Sequence, residues 1–219
     1  MSTKATKGAK AKPATATRPK VSRTARAAKT KSRKKMAIIF LDIDGVMNCM
    51  PDNRHEVWPD FRGGSDERAY GLNPQLVANL KELIDRTDAK IVVSSSWRHF
   101  EDYEPFDFRV KWRDVLAERV GKKTEDLFIG QTPILSTVEM LLHGISEYTL
   151  RGHEIKAWMD NNRKKFGRRG VDYSFCIIDD EVTDILSVFD PRYVVHTSYK
   201  KGFTKEDVER AYHILKFAD

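Results

Sequence analysis

The chain has 219 residues and a formal net charge of +7, from 39 Lys and Arg against 32 Asp and Glu. That charge is unevenly split: residues 1–36 hold nine Lys, four Arg and no acid, whereas residues 37–219 carry 26 basic and 32 acidic side chains, a net of −6. A uniformly basic nucleic-acid-binding domain is therefore excluded, and two cysteines make no disulfide framework.

Residues 1–35 are expected to form a disordered basic tail. Lys, Arg, Ala, Thr, Ser and Pro dominate it, and Leu, Ile, Phe, Trp and Tyr are missing. Such a segment cannot bury enough apolar surface to offset the entropy of ordering. Three uses fit it: plain solvation, salt-dependent binding to nucleic-acid phosphates, and organellar targeting. No apolar stretch follows its charges, so it does not read as a secretory signal. No run approaches the ~20 apolar residues of a membrane span. Cys176 reads as a small buried hydrophobe and Cys49, in a turn region, as a free thiol. Both suit a reducing, intracellular, cytoplasmic setting.

Residues 36–219 read as one globular domain. Ala37–Leu41 is an apolar strand ending in acids. The segment Val46–Leu72, with Met50-Pro51, Trp58-Pro59 and Gly63-Gly64, reads as a flap or long loop. Asn73-Pro74 opens a helix with Leu76, Val77, Leu80, Leu83 and Ile84 on one face. Ala89–Val93 is a second strand, followed by Ser94-Ser95-Ser96-Trp97-Arg98. Phe108–Val120 reads as a helix stopped by Gly121, and Leu127–Ile129 as a short strand. Glu154–Asn161 is predicted helical with Ile155, Trp158 and Met159 inward. Ser174–Ile178 is a strand ending in Asp179-Asp180, and Tyr193–Val195 begins another. Thr204 and Asp207 form a capping box for a closing helix that buries Val208, Ala211, Tyr212 and Leu215. Apolar strands without polar alternation, interleaved with helices, predict an α/β fold with a doubly wound, Rossmann-like parallel sheet. In such sheets ligands bind beyond the carboxyl ends of the strands.

Chemistry-bearing residues collect at those ends. Asp42 and Asp44 lie two apart in an extended segment and share one side. Such close carboxylates repel, and a cation or protons would neutralise them; Gly45 permits a sharp turn. Ser94 and Ser95 offer hydroxyls and amides suited to phosphate oxygens, or to capping the next helix. Asp179 and Asp180, with Asp184 four further on, complete a hard-oxygen set of the kind Mg²⁺ prefers. Arg151 lies at the mouth of the Glu154 helix and Lys156 one turn inside; either could neutralise an anion.

The order hhhhDxDG, hhhSSSWR, basic residue, hhhDDxxxD resembles the haloacid dehalogenase (HAD) superfamily of phosphotransferases, over about residues 36–217. VVSSSWR, RGHEIKAWM and IIDDEVTDI are most similar to a branch found as domains of RNA-repair proteins, akin to the phosphatase half of polynucleotide kinase-phosphatases. The resemblance implies an HAD fold with a minimal cap and a Mg²⁺-dependent phosphomonoester hydrolase. It implies Asp42 as the nucleophile that becomes an aspartyl-phosphate and Asp44 as general acid and then base, with its carbonyl on the metal. Ser94 or Ser95 and Arg151 would hold the phosphoryl group; Asp42, Asp179 and Asp180 would hold the metal. Arg151 stands where the family usually has Lys, and Asp179 stands where the GDxxxD variant has Gly. With little cap, a nucleotide or nucleic-acid terminal phosphate is the expected substrate. The basic tail also sustains an alternative, a catalytically idle HAD-fold accessory protein that binds nucleic acid.

Overall fold

A computed structural model of the chain describes residues 35–49, 71–98, 111–146, 150–166 and 173–217. The expected tail, the greater part of the expected flap and the start of the Phe108 helix lie outside them.

Met36–Leu41 forms β1, and its six residues set the plan of the molecule. Successive strand side chains point to opposite faces. Ala37, Ile39 and Leu41 accordingly enter one apolar layer with Leu76, Leu80, Leu116, Cys176 and Val208. Ile38 and Phe40 enter a second layer with Val92, Ile155, Trp158 and Ile177. A strand buried on both faces must be apolar throughout, which is why this one shows no alternation.

Pro74–Thr87 is α1, started by Asn73, whose side chain accepts from the Gln75 amide at 2.9 Å. Lys90–Val93 is β2 and Lys111–Arg119 is α2. Thr124–Leu127 is a short α3 leading directly into β3, Phe128–Gln131. Thr137–His143 is α4, which lies in the stretch between Arg98 and Arg151 expected to hold sheet-flanking helices but given no bounds there. Leu150–Phe166 is α5, beginning four residues earlier than predicted. Tyr173–Asp179 is β4, Thr183–Leu186 is α6, Val194–His196 is β5 and Lys205–Phe217 is α7. The Thr204 and Asp207 box caps α7: Thr204 N donates to Asp207 Oδ2 at 2.9 Å and Asp207 N to Thr204 Oγ1 at 3.4 Å.

The described strands form one open sheet in the order β3-β2-β1-β4-β5, every pair parallel. This is the expected doubly wound α/β architecture. β1 and β4 are adjacent, yet the chain leaves β1 toward β2 and β3 and leaves β4 toward β5. Their carboxyl ends therefore flank the point where strand order reverses, the place such sheets bind ligands. Both cysteines are free and buried; Cys49, expected as a free thiol in a turn region, is 6 % exposed. Among the described residues, no helix is long and apolar enough to cross a membrane.

Candidate active site

The ladder continues one residue past several strands and so fixes the floor of the site. Asp42 N donates to Ile178 O at 3.0 Å, Ser94 N to Leu41 O at 3.0 Å, and Thr197 N to Asp179 O at 2.9 Å. After Asp42 the chain turns back: Met47 N donates to Ile43 O at 2.8 Å. Gly45 makes that turn at φ +66°, and a Cβ there would lie 2.3 Å from the Asp180 carboxyl. Only glycine lets the β1 turn approach the β4 acids so closely. Thr197 Oγ1 donates to Gly45 O at 3.1 Å and ties the same turn to the end of β5.

Asp42 and Asp179 are buried, and Asp180 is half-buried beside them. One carboxylate oxygen from each of the three lies within 4.8 Å of the others. Arg151, in the first turn of α5, enters this group. Its Nη1 is 2.8 Å from Asp42 Oδ1 and 2.7 Å from Asp179 Oδ2. The other Asp179 oxygen accepts from Glu181 N at 3.0 Å. Burial raises the Asp42 carboxyl above the usual range, against the opposing pull of Arg151. Burial and the neighbouring Asp42 push Asp179 up to about 8, again opposed by Arg151. If both buried acids ionise, one guanidinium leaves a deficit of positive charge, which an added cation would correct.

α5 is held at its start from outside. Asp184 Oδ2 accepts from Arg151 N at 2.9 Å, satisfying one of the amides a helix leaves open at its first turn. Gly152 allows the contact, since a Cβ there would lie 2.7 Å from Asp184 O. Asp184 thus anchors the helix that carries Arg151. Lys156 points elsewhere: its Nζ meets Asp160 Oδ2 at 2.7 Å on the exposed face. Of the two basic residues left open by the sequence, Arg151 is the one among the acids.

The serine run divides. Ser94 is fully buried, and its hydroxyl has no hydrogen-bond partner among the described residues. Ser95 hydrogen-bonds Asp42, which favours the ionised form of that acid, and its Oγ accepts from Trp97 N at 3.3 Å. Ser96 is exposed. Asp44 is not one of the three grouped acids, although its charge adds to the rise at Asp42 and Asp180. Its Oδ2 accepts from Trp97 Nε1 at 2.9 Å and its Oδ1 from Asn48 Nδ2 at 2.7 Å. Sequence reasoning gave Trp97 and Asn48 no role.

It also missed a buried ion pair beneath the serines. Arg98 and Glu154 are 4 % and 2 % exposed and pair through Nη2 and Oε2. Arg98 Nη1 also donates to Ser94 O at 2.6 Å and to Ser95 O at 2.8 Å. Glu154 Oε1 accepts from Leu135 N at 3.4 Å. This pair joins the turn after β2 to α5, and thus the serines to Arg151.

An open parallel sheet, with carboxylates after β1 and β4 and a basic side chain between them at the switch point, defines an α/β protein of the HAD class. The chain belongs to that superfamily: residues 38–208 match the family described as the HAD domain in Swiss Army Knife RNA repair proteins. Membership points to phosphatase-type hydrolase activity. No curated protein and no solved structure matches the chain.

Proposed function

We propose that this protein hydrolyses phosphomonoesters through an aspartyl-phosphate on Asp42, with a nucleotide or nucleic-acid terminal phosphate as substrate. The observation that carries the reading is the arrangement around Asp42: Arg151 at 2.8 Å, with Asp179 and Asp180 within 4.8 Å. Asp42 would attack phosphorus, and Arg151 would share its donors with the phosphoryl oxygens. The unpartnered Ser94 hydroxyl is suited to a further phosphoryl oxygen. Asp44 would protonate the leaving oxygen and then activate water.

The donor set fits Mg²⁺, which takes carboxylate oxygens and keeps several waters. Asp42, Asp179 and Asp180 would hold it, since each offers a carboxylate oxygen within 4.8 Å of the others. When bound, the ion neutralises the charge shared by phosphate and carboxylates. The family description and the thirteen cations of residues 1–36 favour a nucleic-acid substrate.

The test is release of phosphate from an aryl phosphate, nucleotides, and DNA or RNA carrying 3′- or 5′-phosphates, with Mg²⁺ and with EDTA. Turnover should require the metal and fall by roughly 10³-fold or more in Asp42→Asn, the loss expected when a nucleophile is removed. Metal-independent turnover, or none on any phosphoester, would refute the proposal. Nucleic-acid binding that survives Asp42→Asn in a protein never active would leave the accessory reading.

A further inference from the structure

The carboxylates of the site are held in two different ways. Asp42 and Asp179 face a cation, Arg151. The hydrogen bonds on Asp44 come instead from two neutral donors, one on each oxygen. We infer that Trp97 and Asn48 are positioning residues that aim the Asp44 carboxyl at the leaving-group oxygen. The inference rests on the phosphomonoesterase reading above.

The two donors come from different elements, and each is itself held. Trp97 follows β2, and its ring packs edge-on against Trp112 of α2, centroids 5.7 Å apart at 87°. Its indole N–H can only donate, so Asp44 Oδ2 must be the acceptor. Asn48 closes the turn after β1. Its Oδ1 accepts from Gly45 N at 3.1 Å, which turns the NH₂ end toward Asp44 Oδ1. With both oxygens tethered, the carboxyl plane is set from two sides.

Neutral tethers suit the chemistry required of Asp44. In the first step an Asp42 oxygen bonds to phosphorus and the phosphorus–oxygen bond to the leaving group breaks. That electron pair stays on the leaving oxygen, which takes the Asp44 proton. In the second step a water oxygen bonds to phosphorus, gives a proton to the Asp44 carboxylate, and expels the Asp42 carboxylate. Asp44 must therefore serve in both protonation states without turning away. A guanidinium partner would favour only the ionised state. Indole and amide N–H groups can donate to a carboxyl oxygen in either state. Holding the donor in place matters because efficient proton transfer needs hydrogen-bond reach of the leaving oxygen.

Leaving-group dependence separates this role from a structural one. Aryl leaving groups of low pKa depart without a proton, while a ribose or alkyl hydroxyl needs one. Trp97→Phe keeps an aromatic ring beside Trp112 and removes the donor, together with part of the indole's volume. It should lower kcat by roughly tenfold or more on an alkyl or nucleotide phosphate, a fraction of the full general-acid effect. On p-nitrophenyl phosphate the loss should stay under about threefold, with KM nearly unchanged on both. Asn48→Ser, which removes the amide donor to Asp44, should bias the same way and serves if Trp97→Phe does not fold. Equal losses on both substrates, or a change confined to KM, would overturn the positioning role while leaving the enzyme reading intact. A wild-type protein inactive on both substrates would instead remove the enzyme reading, and the positioning role with it.

Discussion

At the scale of single residues, the site depends on how closely the β1 turn approaches the β4 acids. Gly45 and Gly144 have nearly the same backbone, φ +66° and +64°. Their surroundings differ: a Cβ on Gly45 meets the Asp180 carboxyl at 2.3 Å, and one on Gly144 meets nothing within 4 Å. Alanine at either position incurs the left-handed strain, about 1–3 kcal/mol. Only Gly45→Ala must also displace Asp180. We therefore expect both variants to lose comparable backbone stability in urea, with an added loss in Gly45→Ala. Only Gly45→Ala should weaken Mg²⁺ binding and turnover, which calorimetric titration and the phosphatase assay would read. Equal Mg²⁺ affinity in the two variants would argue against Asp180 as a ligand. Lys156→Ala is a useful companion, since an exposed i,i+4 pair contributes only ~0.3–0.5 kcal/mol and Lys156 is remote from the acids.

At the scale of elements, Arg98 and Glu154 link the turn after β2 to α5 through a pair almost wholly removed from water. Removing one partner strands the other charge, at a cost of about 3–5 kcal/mol. Arg98→Met and Glu154→Leu should each destabilise by that order. The double variant should recover part of the loss, because two apolar chains leave no buried charge. Urea denaturation of the four proteins measures this, and simply additive losses would contradict it. The pair also marks where the sequence stops being readable. The strands and their terminal acids were legible because a doubly buried strand is a continuous apolar run, and the acids follow it directly. Arg98 and Glu154 are 56 residues apart, Trp97 and Asp44 53 apart, and nothing local announces either pairing. The bounds of α4 were not read although Val138, Leu141 and Leu142 carry the i, i+3, i+4 spacing of an apolar helix face; in the fold that face buries no residue. Val138, Leu141 and Leu142 are 65 %, 77 % and 76 % exposed. Its readable signals were the Ser136 and Glu139 capping box and the Gly144 stop. α5 was expected to begin at Glu154 because Arg151-Gly152-His153 is apolar-poor and contains a weak helix former. The side chain that caps its true start, Asp184, lies 33 residues further along the chain.

At the scale of the whole molecule, the clustered acids set how stability responds to pH. Burial raises Asp42, Glu154, Asp180 and Asp184, and burial with Asp42 repulsion brings Asp179 to about 8. Each raised carboxyl keeps its proton in the fold at a pH where the unfolded chain has lost it. The folded state then binds more protons, so unfolding free energy falls as pH rises. The window runs from the ordinary Asp value of 3.8 up to about 8, the upper end set by Asp179. Exposed acids such as Glu82, Glu139, Asp190 and Glu209 shift downward through their own partners. Their contribution is present above the ordinary carboxyl range and is lost only below it, so it does not offset the fall. In EDTA, Tm should therefore drop between about pH 5.5 and 8, by roughly 2–4 °C for each kcal/mol lost in a protein of this size. Asp179→Asn should flatten that slope, because the amide cannot ionise. Mg²⁺ competes with protons for the same oxygens, so its stabilising effect should grow with pH. Thermal unfolding at several pH values, with EDTA and with Mg²⁺, decides the matter. A Tm that does not fall over this range in EDTA, or a Mg²⁺ increment that is the same at every pH, would show that the buried acids are ionised in the fold without a metal. Arg151 alone would then suffice to neutralise Asp42 and Asp179.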